Sequence, residues 1–331
     1  MSKLRVGMIS FAHMHAASYL QALLAREDVE VAGIADENEE RVRPFTEPNG
    51  IAYYSDYKEL LRQPIDAVVI CSENVRHAEL TKQAAQAKKH IMCEKPLGVS
   101  EEEMLDMIEV CRAEGVQLMT AYPCRYIPAV RAAKEAIDRG DIGDIIAIKG
   151  TNRGTMPSGW FIDRSQSGGG AVLDHTVHVL DLMHYMTGSE VAEVYAHSET
   201  LFHDVDIDDA GLIHVKFRNG VFAVHDPSWS RPASFPTWGD VTMEIIGTKG
   251  VINVDSFAQK NDVYSNNATK AEWSYWGDNM DQGLVDGFVE ALLAGADVPI
   301  TGMDGYLSAR VAFAAYESAS TGQTVQLRQQ S

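Results

Sequence analysis

The sequence predicts an α/β chain: a doubly wound parallel sheet over residues 1–122, then an α+β domain with a large open, mostly antiparallel sheet over residues 123–331. Three observations carry this. Short apolar runs with β-branched residues alternate with helical patterns through the first third, the mark of parallel strands joined by crossover helices. Past Pro123 the runs lengthen and follow one another across tight turns, as antiparallel strands do. The length, 331 residues, suits two domains with separate cores.

The elements follow in order. Leu4–Ile9 reads as the first strand, a loop covers Ser10 to His15, and Ala16–Arg26 has helical spacing. Val29–Ala35 is the second strand and stops at Asp36; Ala67–Cys71, His90–Cys93 and Val116–Ala121 are the next three. Between them lie helices over Asp56–Arg62 and Ala78–Lys88, and one to Glu114 opened by the capping box Ser100-Glu101-Glu102-Glu103. In the second domain a helix over Ala129–Arg139 ends at Gly140. Strands are expected at Ile145–Gly150, Val191–Ser198, Gly211–Phe217, Val221–His225, Val241–Ile246 and Val251–Val254. Asn219-Gly220 and Thr248-Lys249-Gly250 are the turns. Helices over Asp281–Ala294 and Gly305–Thr321 follow, with Gly322 as C-cap.

Net charge excludes some partners. A formal −19 opposes nucleic acid and anionic membranes. No apolar stretch is long enough to span a bilayer, and no signal peptide precedes the first strand. The cysteines, Cys71, Cys93, Cys111 and Cys124, have no metal-type spacing and read as reduced core thiols of a cytoplasmic protein.

Chemistry concentrates in three places. Gly168-Gly169-Gly170 leads into a helix on which Asp174 and His178 share a face. Glycines let backbone approach a ligand, and a carboxylate beside an imidazole suits a general base. The same helix offers Asp174, His175, His178 and Asp181, but His175 points elsewhere and catalytic metal sites draw ligands from several elements, so no metal is expected there. Second, Ser10-Phe11-Ala12-His13-Met14-His15 stands where a dinucleotide-binding loop belongs, with every glycine of G-x-G-x-x-G substituted. Asp36, about 20 residues on, is placed for ribose hydroxyls, and its charge favours NAD over NADP. Third, Glu94-Lys95-Pro96 puts a lysine at the end of a buried strand, a costly position without a partner or ligand.

Together these residues resemble the Gfo/Idh/MocA oxidoreductases, the glucose–fructose oxidoreductase and inositol dehydrogenase group. The likeness also rests on Val69-Ile70-Cys71-Ser72-Glu73-Asn74 with His77, Arg125-Tyr126-Ile127-Pro128, Trp160, Ile246-Gly247-Thr248-Lys249-Gly250 and Ser318-Ala319-Ser320-Thr321-Gly322. The resemblance implies a Rossmann domain binding NAD, with NADP possible, and a second domain whose open sheet joins a homodimer or homotetramer. It implies hydride transfer between the nicotinamide and a secondary hydroxyl of a sugar, sugar derivative or cyclitol. Lys95, Asp174 and His178 are then the catalytic group. Ser10, Phe11, Ala12, His13, Met14, His15, Asp36, Cys71, Ser72, Glu73, Asn74, His77, Glu94, Lys95, Pro96, Arg125 and Trp160 face the cofactor. Lys95, Tyr126, Asp163, Asp174, His175 and His178 face the substrate. Two other readings share the fold: an NAD-dependent glycosidase, and a dinucleotide- or sugar-binding sensor without turnover. The set Lys95, Asp174 and His178 argues against the sensor.

Overall fold

The computed structural model describes residues 3–267, 270–275, 277 and 279–329. The chain forms two compact units. The first takes the residues up to Pro123 together with Met280–Tyr306; the second takes Cys124–Asn279 and the residues from Leu307 on. The stretch 280–306, which a boundary at 122/123 assigns to the second domain, therefore clusters with the first.

In the first unit the elements are β1 (Leu4–Ile9), α1 (His15–Leu24), β2 (Val29–Ala35), α2 (Glu39–Asn49), β3 (Tyr53–Tyr54), α3 (Tyr57–Leu61), β4 (Ala67–Ile70), α4 (His77–Gln86), β5 (His90–Cys93), α5 (Glu101–Glu114) and β6 (Leu118–Thr120). The strands form one parallel sheet in the order β3-β2-β1-β4-β5-β6. Strand order reverses between β1 and β4, and ligands of such sheets bind beyond the carboxyl ends at that point. Register brings those ends level: Ile9 pairs with Ala35 and Ile70, and Ile70 with Cys93. The loops after β1, β2, β4 and β5 thus gather at one edge. β4 is buried along its whole length, as a central parallel strand must be.

Two elements were not expected. α2 contains Pro44 and Pro48, which argue against a helix; it forms nonetheless, capped by the Asn38 side chain accepting from Glu40 N–H and by left-handed Gly50. β3 is two residues at the sheet edge. The strand expected over Val116–Ala121 is shorter because Val116 N–H still donates to Cys111 O at 3.0 Å, closing α5. The Ser100/Glu103 capping box is present.

In the second unit lie α6 (Pro128–Asp138), β7 (Ile145–Thr151), the one-turn α7 (Arg164–Ser167), α8 (Ala171–Thr187), β8 (Val191–Glu199), β9 (Ala210–Phe217), β10 (Phe222–Asp226), β11 (Thr242–Gly247), β12 (Val251–Asp255), β13 (Lys260–Val263) and β14 (Glu272–Tyr275). After these come α9 (Met280–Ala294), α10 (Gly302–Thr321) and β15 (Val325–Gln326). The large sheet runs β12-β11-β7-β10-β9-β8-β15, and of its pairs only β7–β10 is parallel. α8 packs closely on one face: a Cβ on Gly150 would meet Val179 and Met183 at 2.6 and 2.8 Å. On the outer face Leu212, Phe222 and Val251 stand exposed. The β13–β14 ribbon was also unexpected; Lys260 lies over the Trp273 ring at 4.2 Å.

α9 buries Leu284, Val285 and Phe288 and packs on α1, where Arg26 reaches Asp286 at 2.7 Å. Gly322, at φ 67°, ends α10 as expected. Among the described residues no helix is long and apolar enough to cross a membrane.

Candidate functional site

The loop after β1 keeps the backbone shape of a dinucleotide turn without its glycines. Ser10, at the first glycine position, has φ 67°, the left-handed region that a side chain disfavours by about 1–2 kcal/mol. Its hydroxyl accepts from Ala12 N–H at 3.1 Å, and Phe11 N–H donates to Asp36 Oδ2 at 2.7 Å. Asp36 follows β2, nearly buried, and also accepts from Asn38 N–H at 2.8 Å. Ser10, Asp36, Glu37, Arg41, Glu73 and Arg76 line an open cleft. A small turn, a carboxylate at the end of β2 and an open cleft beside them fit the adenosine ribose of a dinucleotide.

Next to this cleft is a tightly knit buried group. Glu94, 1 % exposed, accepts from Tyr19 O–H at 2.6 Å and lies 2.8 Å from His15 Nδ1; its other oxygen accepts from Lys95 N–H at 2.8 Å. Burial alone would raise its carboxyl, but the His13 and His15 charges and the His15 hydrogen bond outweigh that and hold it well below the usual range. Burial likewise would lower His15; the Glu94 charge and hydrogen bond win and raise it. The His13 and His15 rings meet edge-on at 4.4 Å. Lys95, also buried, follows directly, joined to Pro96 by a cis peptide.

Other expected cofactor residues have protein partners. His77 is fully buried, with Nδ1 2.8 Å from Pro96 O and Nε2 3.2 Å from Ser72 O, and burial lowers its pKa. Both partners are carbonyls, so neutral His77 donates to one at a time and staples the end of β4 to the Pro96 turn. Cys71, Ser72 and Asn74 are buried at the same strand end; burial drives the Cys71 thiol well above its ordinary range, which makes it inert. Phe11 packs against Phe45 at 5.0 Å, and Met14 is exposed.

In the second unit the glycine run does bring backbone close, but to protein. Gly168, at φ 79°, caps α7. A Cβ on Gly169 would meet the Tyr316 hydroxyl at 2.6 Å, and one on Gly170 the Asp208 backbone oxygen at 2.0 Å. Asp208 replaces an N-cap for α8. Its carboxylate accepts from Gly170 and Val172 N–H at 3.0 and 2.8 Å, its carbonyl from Ala171 N–H at 2.9 Å, and Tyr316 O–H donates to it at 2.9 Å.

α8 carries Asp174, His175 and His178. His175 Nε2 lies 3.4 Å from Asp174 Oδ2, while its Nδ1 is 3.1 Å from Pro227 O. Its ring is edge-on to Trp229 and Trp238 at 6.3 and 6.2 Å, and Gly154 leaves room for it. His175, expected only to line the substrate, thus has its Nε2 beside the Asp174 carboxylate. His178, 7 % exposed, has Nδ1 4.0 Å from Cys124 Sγ. Arg125, expected at the cofactor, makes a bidentate pair with Asp181 at 2.8 and 2.5 Å and covers the Tyr185 ring. Tyr126 lies under Arg131, and Trp160 stacks on Phe161 at 3.9 Å. Asp163 caps α7, accepting from Ser165 and Gln166, and those hydrogen bonds lower its carboxyl. Asp208 and Tyr316 escaped the sequence reading, whereas Trp229 and Trp238 lie in the Asp226–Trp238 loop expected to shape the pocket.

Comparison with known proteins places both halves. Residues 4–122 match the family described as "Oxidoreductase family, NAD-binding Rossmann fold", and residues 130–253 the "GFO/IDH/MocA C-terminal domain". An uncharacterized oxidoreductase, YrbE, of Bacillus subtilis (strain 168) is 32% identical over 90% of this chain and 89% of its own. Myo-inositol 2-dehydrogenase of Thermotoga maritima is 28% identical, covering 98% of this chain and 99% of the relative. Among solved structures, levoglucosan dehydrogenase in complex with NADH and levoglucosan superposes with a TM-score of 0.86 at 26% identity, covering 99% of this chain and all of that one.

Proposed function

The chain belongs to the Gfo/Idh/MocA oxidoreductase family, and on that premise we propose that it is an NAD(P)-dependent dehydrogenase acting on a secondary hydroxyl of a sugar or cyclitol. The observation that carries this is the dinucleotide cradle of the first unit: left-handed Ser10, Asp36 at the end of β2, and the cleft between them. The relatives' names supply the substrate class, since they act on inositol and levoglucosan.

The two units have separate tasks in this reading. Residues up to Pro123 with Met280–Tyr306 hold the dinucleotide; Asp36 takes the ribose hydroxyls and the start of α1 receives the pyrophosphate. Bound nicotinamide supplies the hydride acceptor. His178, on the rigid frame of α8, removes the hydroxyl proton. Lys95 stabilises negative charge on the same oxygen. Asp174, with the His175 imidazole beside it, orders the sugar's neighbouring hydroxyls. The outer face of the large sheet, with Leu212, Phe222 and Val251 exposed, joins a homodimer or homotetramer. Four buried thiols agree with a reducing, cytoplasmic setting.

The test is direct. Purified protein is titrated with NAD and NADP by calorimetry, then given the tighter cofactor and a panel of cyclitols, aldoses and anhydrosugars. Reduction of cofactor with at least one of them is expected. Tight binding with no reduction across the panel would instead favour a sensor.

A further inference from the structure

The loop that lost its glycines gained two histidines. His13 and His15 flank Met14 at the start of α1, and the parallel register of β1, β4 and β5 sets Glu94 beside them. One donor atom from each lies within 4.8 Å of the other two. We propose that His13, His15 and Glu94 form a site for a zinc-class divalent cation. It lies on the same loop as the dinucleotide reading, but binding of the ion needs neither cofactor nor turnover, so the two are tested separately.

The donor set selects the ion. Two imidazoles and one carboxylate suit zinc and its neighbours, whereas calcium and magnesium want oxygen alone. Zinc holds such ligands at about 2.0–2.2 Å, which puts the donors roughly 3 to 3.6 Å from one another. The present separations are 2.8 Å between His15 Nδ1 and Glu94 Oε1 and 3.9 Å between His13 Nδ1 and the same oxygen. They bracket the required span, and His13 Nδ1, which accepts from His15 N–H at 3.2 Å, would exchange that hydrogen bond for the ion.

The surroundings are those of a prepared ligand. Tyr19 O–H donates to Oε1, the oxygen that faces the histidines, and Lys95 N–H to Oε2, so both carboxylate oxygens are held in place, as outer-shell groups fix metal ligands. The His15 side chain is 26 % exposed while those of His13 and Glu94 are closed off, so an ion has one approach. Charge permits it. Asp281, at the start of α9, acts on the same cluster, and with Glu94 it outweighs the Lys95 ammonium. Three protein ligands leave a coordination position open.

The experiment uses the full chain, stripped with a chelator and titrated with Zn²⁺ by calorimetry and with Co²⁺ by visible absorption. One equivalent of either ion is expected, with Co²⁺ showing ligand-field bands, and Mg²⁺ binding far more weakly. His13→Ala and Glu94→Gln should abolish stoichiometric binding. Tyr19→Phe should weaken it about 10- to 100-fold, the usual worth of an outer-shell partner. His15→Gln, at the most exposed ligand, keeps the test sound if a buried variant does not fold, as checked by circular dichroism. Failure of the unmodified protein to bind one equivalent overturns the proposal, and so does undiminished binding in His15→Gln, which would place the ion on histidines elsewhere such as His197 and His214.

Discussion

Gly170→Ala should damage the second unit more than any other alanine in the glycine run, by an amount the geometry sets. Gly170 has φ −97°, outside the left-handed region, so the main obstacle is space. The new Cβ would lie 2.0 Å from Asp208 O and 2.6 Å from Asp208 Oδ1, where ordinary contact begins at 3.4 Å. The backbone must therefore move by about 1.4 Å, and the partner is itself backbone. That movement breaks two hydrogen bonds to a carboxylate and one to a carbonyl. At about 1.5–3 kcal/mol for each charged bond and about 1 for the neutral one, full loss costs about 4–7 kcal/mol. Partial relaxation brings the expected cost to about 3–5 kcal/mol. Gly188→Ala is the reference: φ is 59° and nothing lies within 4 Å, so only left-handed strain of about 1 kcal/mol applies. Urea unfolding followed by circular dichroism measures both, compared by midpoint at constant slope. Dinucleotide affinity should stay unchanged, since it is assigned to the other unit. A cost for Gly170→Ala no larger than for Gly188→Ala would refute the view that Asp208 caps α8.

Burial lowers His225, on β10, to about 4 from 6.5 in the unfolded chain. Below pH 6.5 the unfolded state binds the proton first, so stability falls with pH down to about 4, by about 3 kcal/mol in all; His225→Gln should flatten that part of the urea-midpoint profile, and an identical slope would dismiss the cause. Asp36→Ser should narrow a preference for NAD over NADP, because the repelling carboxylate is gone while Arg41 and Arg76 still line the cleft; calorimetric affinities for both cofactors decide it. Lys95→Met should abolish turnover with NAD affinity kept within a few-fold, and His178→Asn should cost on the order of 10² to 10⁴ in kcat and remove one ionisation from the pH–rate profile. If that ionisation survives in His178→Asn, another group is the base.

What the sequence disclosed follows from what is local. The parallel strands, the Asn219-Gly220 turn and the Ser100/Glu103 capping box depend on neighbours a few residues away, and they stand as expected. Asp36 and Lys95 were visible because they terminate buried strands, where polar side chains need a reason. The purpose of Gly170 was hidden because its partners, Asp208 and Tyr316, lie 38 and 146 residues on. The Asp174–His175 pair eluded helical spacing because adjacent residues rarely face one another; the Pro227 carbonyl turns the ring. α2 was obscured by two prolines, which propensity penalises and Asn38 and Gly50 offset. The β13–β14 ribbon, mostly polar, has no apolar period to read.

The return of residues 280–306 to the first unit has a consequence for synthesis. A nascent chain released as far as Pro123 carries the whole parallel sheet yet lacks α9, so the α1 surface that α9 covers is still open. At about 5–20 residues per second, Met280 follows Pro123 by roughly 8–30 s. Through that interval the α1 flank that α9 covers stays open. A fragment cut after residue 123 would retain the same defect permanently, despite containing every strand and every loop of the dinucleotide cradle. Arg26, whose partners Asp286 and Glu290 come with α9, marks the seam where the unit closes.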